Sequence, residues 1–206
     1  MPRKAQTEVV TIVLLTGIVI SLVGAAYMWG VPLINKRTAV TDFLAAEDFV
    51  VKLDQKIVEI ANAGSGEAAL DIPNGLIEIK DYVAGNPQSN SIVFKKVVKQ
   101  PLILSNSVVL KTNVLGENGT YGEAEPRVIN LSSESFPPDY RLVFTLHYRE
   151  LDTRNEPVKG YLISLKTGDR VGSNRMIVSY DGTDIVAGGA KNGGPLVRTK
   201  IKVSVV

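Results

Sequence analysis

The sequence predicts an α+β protein in which one long N-terminal helix precedes an all-β, sandwich-like domain. Three observations support this prediction. The chain has an uninterrupted apolar stretch near its start, a helical repeat of apolar residues directly after it, and then many short β-branched runs separated by turn residues. The 206 residues are enough for one membrane helix and one domain of ordinary size.

The apolar stretch, residues 9–34, contains no charged residue. At about 1.5 Å rise per residue it would form a helix of roughly 39 Å, which exceeds the roughly 30 Å hydrocarbon core of a bilayer. Tyr27 and Trp29, followed by Lys36 and Arg37, are typical of a membrane interface. The apolar core of a secretory leader spans only about 7–15 residues. We therefore predict a retained transmembrane helix over residues 6–35.

The residues before this helix carry a second pattern. Arg3 and Lys4 precede a small residue, Ala5, and then Gln6, with a carboxylate at Glu8. This arrangement resembles the class III signal peptide of archaeal type IV pilins and related surface proteins, and the resemblance covers residues 1–35 only.

The resemblance implies that a prepilin-peptidase-type enzyme cuts after Ala5, which makes residues 1–5 a leader and Gln6 the mature N-terminus. In that family the retained helix packs into a filament core. The carboxylate of Glu8 falls at the third mature position, whereas many bacterial pilins carry it at the fifth, so its contact with a neighbouring subunit is not carried over. The simpler interpretation is an uncut cytoplasmic tail held by its basic residues. Basic residues also follow the helix, so charge alone leaves the orientation open.

Small residues recur along the apolar helix. Gly17, Ser21 and Ala25 are spaced four residues apart, and Gly24 lies beside them. Small residues at this spacing let two helix backbones approach closely in lipid. The alternative is that glycine is simply commoner in membrane helices than in soluble ones. Further along, Pro32 is predicted to kink the helix as it leaves the membrane.

Residues 36–64 are predicted to form an amphipathic stalk helix that ends at Gly64 to Gly66. Most of the charged side chains, Asp54 among them, are assigned to the other faces. The apolar stripe is either the side that a β-domain covers or the seam of a helical oligomer. Its members are spaced by three or four residues: Phe43, Ala46, Val50, Leu53, Ile57 and Ile60.

Residues 65–206 are predicted to form the β-rich domain, which we place outside the cytoplasm. The triplet Pro73, Asn74 and Gly75 predicts a hairpin between its first two strands. The last strand is predicted to lie inside a sheet, with an edge strand offered to another subunit as the alternative. The predicted strands are residues 69–72, 76–79, 91–98, 102–112, 127–131, 141–149, 160–166, 176–180 and 184–187, and one after Pro195.

The sequence offers little material for catalysis or metal binding. It has no cysteine, and His147 is its only histidine, for which a surface or sheet-stacking role is expected. Asp181 and Asp184 lack the ligand count of a calcium loop, and a simple turn explains them. No nucleophile, base and orienting group can be assembled, so we expect no enzyme, no metal and no cofactor. With 23 basic and 21 acidic residues, the net charge of +2 argues against a nucleic-acid partner.

Two sequons make Asn118 and Asn130 candidates for glycosylation. The first lies in a polar stretch that the sequence presents as a loop, where an acceptor asparagine would be accessible.

These observations lead to a functional expectation. The chain is expected to be a non-enzymatic, type IV pilin-like subunit of the cell surface, assembled through its N-terminal helix. The implied partners are membrane lipid, identical copies of the chain and a prepilin-peptidase-type enzyme. The alternative is a permanently anchored β-sandwich module that binds a cell-envelope protein, like a stator or adhesion component of an archaeal surface filament.

Overall fold

The computed structural model describes residues 3–101, 107–111, 118–172 and 174–206. One long helix, α1 (Arg3–Ala63), precedes a domain of two β-sheets. This arrangement confirms the predicted fold class, an α+β chain whose second part is a β-sandwich-like domain.

Helix α1 joins the predicted membrane segment and the predicted stalk without interruption. It continues through Pro32 and ends at Ala63. Gly64 follows in the left-handed conformation, with φ of 63°, and its N–H donates to the carbonyl of Ile60 at 3.1 Å. Glycine adopts this conformation without the Cβ clash that other residues suffer, so the helix stops where the sequence predicts.

Eleven strands follow in the described part of the chain. They are β1 (Glu67–Asp71), β2 (Leu76–Lys80), β3 (Ser91–Val98), β4 (Val108–Lys111), β5 (Asn118–Thr120), β6 (Arg127–Phe136), β7 (Asp139–Tyr148), β8 (Glu150–Asp152), β9 (Gly160–Arg170), β10 (Arg175–Val186) and β11 (Leu196–Val205). The six-stranded sheet has the order β1-β10-β11-β9-β8-β5, and the five-stranded sheet has the order β2-β3-β7-β6-β4. Of the predicted strand 102–112, residues 102–106 and 112 lie outside the described residues.

The predicted hairpin at Pro73 to Gly75 is wrong. Strand β1 pairs with β10, and β2 pairs with β3, so this turn carries the chain from one sheet to the other. A Cβ at Gly75 would lie 2.5 Å from Cε2 of Phe94. The glycine is therefore needed for close packing on the core at the crossover, and the local sequence resembles a hairpin turn only in composition.

The predicted turn at residues 181–184 is also wrong. Strand β10 runs through it, with Tyr180 opposite Ile201 and Thr183 opposite Thr199. Two residues of β10 therefore face one residue of β11, which is a β-bulge. Gly182 has φ of 106°, a conformation that glycine tolerates and other residues rarely adopt. The bulge produces the polar, glycine-containing pattern that otherwise indicates a turn.

The apolar stripe of the stalk is buried by the β-domain, as the first of the two alternatives predicts. Helix α1 packs against β3 and β7 of one sheet and β1, β10 and β11 of the other. The stripe joins inward residues of both sheets in one core. Phe43 is half-buried, and the other five members are at most 5% exposed: Ala46, Val50, Leu53, Ile57 and Ile60.

The last strand is an interior strand, as predicted. Strand β11 lies between β10, to which it is antiparallel, and β9, to which it is parallel. Ile201 and Val203 are fully buried, while Arg198, Lys200 and Lys202 are half-exposed on the opposite face. The alternating pattern therefore distinguishes the buried face of this strand correctly.

Candidate functional site on the N-terminal helix

The described side chains of the first half of α1 are not covered by the β-domain. Burying a whole aliphatic side chain is worth about 1.5–3 kcal/mol, so covering the open half of ten of them is worth roughly 10 kcal/mol. That sum is comparable to the entire stability of an ordinary domain, so leaving this surface in contact with water is costly. Ten aliphatic side chains are at least half exposed: Val10, Ile12, Val13, Leu14, Leu15, Ile18, Val19, Ile20, Leu22 and Val23.

By length and composition, this helix can cross a membrane. Its most apolar window has a mean hydropathy of 2.3, and none of that window is buried inside the protein. A buried core helix of similar composition would be enclosed by its own domain, and this one is not. The first half of α1 is therefore long and apolar enough to span a membrane once, and it continues into the stalk that the β-domain encloses.

The predicted small-residue positions form one stripe on this helix. Gly17 and Ser21 line a shallow groove between larger side chains, and Gly24 and Ala25 continue the stripe by one turn. A Cβ added at Gly17 or Gly24 would meet no atom of the described chain within 4 Å. Nothing in the described part of this molecule therefore requires glycine at these positions, which leaves the surface open for a second helix.

Two hydroxyl groups in the apolar half of the helix are satisfied within the helix itself. Ser21 donates to the carbonyl of Gly17, and Thr16 donates to the carbonyl of Ile12, each at 2.8 Å. In hydrocarbon an unsatisfied hydroxyl costs several kcal/mol by order of magnitude, so these bonds make the segment compatible with lipid.

The predicted processing residues lie in the first turns of α1. Lys4, Ala5, Gln6 and Glu8 belong to the helix, and their side chains fall outside the described part of the structure. Cleavage after Ala5 therefore stays a prediction from the sequence.

The two glycosylation candidates both lie in strands. Asn118 is the first residue of β5 and pairs with Glu150 of β8, so it does not lie in the loop that the sequence indicates. Asn130 lies in the middle of β6, opposite Thr145, and is half-buried. In the sequence, Asn118 and Gly119 resemble loop residues because β5 is only three residues long and lies at the sheet edge.

The candidate metal and catalytic residues are engaged in local contacts. Asp181 accepts a hydrogen bond from Lys166 at 3.1 Å, and Asp184 accepts from Arg198 and Lys200. Hydrogen bonds first from Arg198 and then from Lys200 hold the pKa of the Asp184 carboxyl well below its usual range. His147 is half-buried, and its Nδ1 lies 3.1 Å from the carbonyl of Ser89. Among the described residues, no group of three metal-ligating side chains is present.

A cavity of about 440 Å³ with a mixed polar and apolar lining lies beside His147. Its wall includes Glu150, which is 7% exposed and accepts a hydrogen bond from the backbone N–H of Lys191 at 2.7 Å. Burial raises the pKa of the Glu150 carboxyl, the neighbouring Asp152 raises it further, and the bond from Lys191 opposes the shift. Burial also lowers the pKa of Arg149, whose Nε donates to the carbonyl of Glu125.

Sequence reasoning missed the polar contact that fixes the stalk in the domain. Asp54, expected on a polar face, is 1% exposed. Its carboxylate lies 2.5 Å from Nε of Arg127 and accepts a hydrogen bond from the hydroxyl of Tyr148 at 3.1 Å. Burial, with the Asp54 carboxylate next, raises the pKa of Tyr148. The indication was present in the spacing, because Asp54 falls between Leu53 and Ile57 on the apolar side of the helix.

Comparison with known protein families, curated proteins and solved structures finds no match for this chain. The resemblance carried by residues 1–35 therefore rests on the sequence motif alone.

Proposed function

We propose that this chain is a non-enzymatic, type IV pilin-like subunit that assembles through its N-terminal helix. The observation that carries the proposal is the division of α1 into an uncovered apolar half and a half enclosed by the β-domain. A single unbroken helix thus links a segment that needs an apolar environment to a domain that is already complete.

The mechanism would be an exchange of partners for the same helix surface. In the membrane, lipid chains contact the residues from Val10 to Val23. In a filament, identical helices would replace the lipid, with Gly17 and Gly24 allowing close backbone contact. Because lipid and helix surfaces are equally apolar, packing at the small residues would decide whether helices associate.

The same proposal places the β-domain outside the cytoplasm, with the leader of residues 1–5 on the inner side. Asn130 would then be a candidate for glycan attachment, together with Asn118. The alternative is the permanently anchored module that binds an envelope component, in which α1 stays in lipid throughout.

Mass spectrometry of the protein purified from its native membrane separates these two functions. A mature chain that begins at Gln6 supports the filament subunit, whereas a chain that retains Met1 favours the anchor and contradicts the proposal.

Replacing Ala5 with phenylalanine tests the processing step directly. The bulky side chain should block cleavage after position 5 and abolish filaments seen by electron microscopy. The matched control, Ala5→Gly, keeps a small residue and should leave both cleavage and filaments intact. Filaments formed by uncleaved Ala5→Phe protein would contradict the assignment of a leader.

A further inference from the structure

A second surface of the β-domain has the features of a ligand site, and it lies at the edge of the six-stranded sheet opposite β1. Tyr121, just after β5, and Tyr161, in β9, stack with ring centroids 4.4 Å apart and an interplanar angle of 28°. Tyr121 and Tyr161 help to line a shallow, open site of about 620 Å³. The stalk packs on β1, β10 and β11 of this sheet, so it leaves this edge accessible.

The stacked rings form a platform rather than a slot. Tyr161 covers one face of Tyr121, yet Tyr121 remains 54% exposed, so the rest of its surface faces the site. The backbone N–H of Tyr121 donates to the carbonyl of Asp152 at 2.9 Å, which fixes the residue that carries the exposed ring.

Part of the lining of the site comes from a short, hydrogen-bonded loop between β8 and β9. The N–H of Thr153 donates to the carbonyl of Lys159 at 2.9 Å, and the N–H of Lys159 donates to Oγ1 of Thr153 at 2.8 Å. These bonds close the base of the loop and restrict its backbone, which lowers the backbone entropy lost on binding.

The polar side chains of the site can form hydrogen bonds, and its positively and negatively charged side chains are equal in number. Arg154 and Lys159 contribute positive charge, and Glu123 and Glu156 contribute negative charge. Arg154 is paired with Glu123 at 2.9 Å. Asn155 adds an amide that both donates and accepts. The balance disfavours polyanions such as nucleic acid, since two carboxylates line the same site.

We propose that the Tyr121–Tyr161 platform and the loop of residues 153–159 bind a neutral carbohydrate chain. The C–H groups on one face of a pyranose carry partial positive charge and pack on the negative face of an aromatic ring. Its hydroxyl groups both donate and accept, which matches a mixed set of amide, guanidinium and carboxylate groups. A proline-rich peptide fits less well, because it needs a slot between separated rings and these rings are in contact.

The proposal is independent of filament assembly, because the site lies wholly within the β-domain. The test is isothermal titration calorimetry on the full chain in lipid nanodiscs. The probes are cellohexaose, mannohexaose and chitohexaose, with decaproline and a single-stranded oligothymidylate as the competing ligand classes.

At least one of the three neutral hexasaccharides should bind saturably. Tyr121→Ala should weaken that binding by about tenfold, because the stacking surface is lost, whereas Tyr121→Phe keeps the ring and should stay within about threefold. Asn155→Ala should also weaken binding without touching the platform. Phe136→Ala removes an exposed aromatic ring elsewhere and should have no effect.

Three results would overturn the proposal. The first is the absence of saturable binding to all three hexasaccharides at millimolar concentration. The second is saccharide binding that Tyr121→Ala leaves unchanged in a variant whose near-UV circular dichroism matches the wild type. The third is saturable binding of decaproline or oligothymidylate alone.

Discussion

At the scale of single residues, Asn90 joins the two sheets. It is 2% exposed and adopts φ of 56°, a left-handed conformation that asparagine tolerates better than most residues. Its Nδ2 donates to the carbonyls of Tyr148 and Ile163, and its Oδ1 accepts from the N–H of Leu165. The side chain therefore bridges β7 of one sheet and β9 of the other.

Replacing Asn90 with alanine should destabilise the β-domain by about 3 kcal/mol or more. Three buried backbone groups lose their partners, and each unsatisfied group costs about 1–3 kcal/mol. Urea unfolding of the full chain in nanodiscs, followed by near-UV circular dichroism, measures the change. Asn74→Ala removes an exposed asparagine and should stay within about 0.5 kcal/mol of the wild type. Equal stability of the two variants would contradict the bridging role.

Glu150 gives the stability of the domain a specific dependence on pH. Because burial raises its pKa in the folded state, Glu150 favours folding below the carboxyl's unfolded pKa of about 4.3 and loses that contribution as pH rises through the folded pKa.

Glu150→Gln should therefore be more stable than the wild type at pH 7, by less than about 2 kcal/mol, and the difference should disappear near pH 4. Glutamine keeps the oxygen that accepts from Lys191. Unfolding free energies at the two pH values measure the effect, with Glu134→Gln as the exposed control. A Gln variant that is less stable at pH 7 would show that the ionised carboxylate is needed.

At the scale of elements, the stalk helix is attached to the domain by apolar burial and by contacts of the buried Asp54 carboxylate. Asp54 is in contact with Arg127 and Tyr148 across the interface between α1 and the five-stranded sheet. Arg127 also pairs with Glu125 at 3.1 Å, so the charges form a short network. A buried pair of this kind contributes little net stability, but removing one partner leaves the other charge uncompensated.

Asp54→Ala should lower the free energy of unfolding by about 3 kcal/mol. The control is Asp48→Ala on the same helix, which breaks only the exposed pair with Lys52 and should cost less than about 1 kcal/mol. Hydrogen exchange of the stalk amides supplies an independent measurement, because loss of the contacts of Asp54 with Arg127 and Tyr148 should speed exchange in the stalk first. Equal losses of unfolding free energy for the two substitutions would show that the contacts of Asp54 do not hold the stalk in the domain.

Periodicity was sufficient to predict most elements of the fold, because burial on one face imposes it. The stripe from Ala46 to Ile60 and the inward face of β7 follow from spacing alone. The pairing of strands cannot be predicted from spacing. The turn after β1 and the bulge at Gly182 have the composition of hairpin and turn residues, but their conformation depends on partners distant in sequence. The platform of Tyr121 and Tyr161 was missed for the same reason, since forty residues separate its rings.

At the scale of the whole molecule, the proposed assembly depends on the small-residue stripe of α1, which consists of Gly17, Ser21, Gly24 and Ala25. Gly17→Ile adds a branched side chain to that stripe and should reduce assembly by about tenfold, because the backbones can no longer approach. Val19→Ile enlarges a residue about 200° around the helix and should have a much smaller effect. Filament yield per cell, measured against membrane-inserted subunit, gives the comparison. An unchanged filament yield for Gly17→Ile would show that the small-residue stripe contacts lipid and not a second helix.

The absence of any break in α1 has a geometric consequence. Because α1 is continuous from Arg3 to Ala63, each residue along it adds about 100° of rotation, so the direction in which the carbohydrate platform points is linked to the rotational angle of the small-residue stripe. One residue added between the two halves would turn the β-domain by about 100° and raise it by about 1.5 Å. The number of residues between Gly24 and Ala39 therefore determines which side of the domain each neighbour in an assembly would encounter.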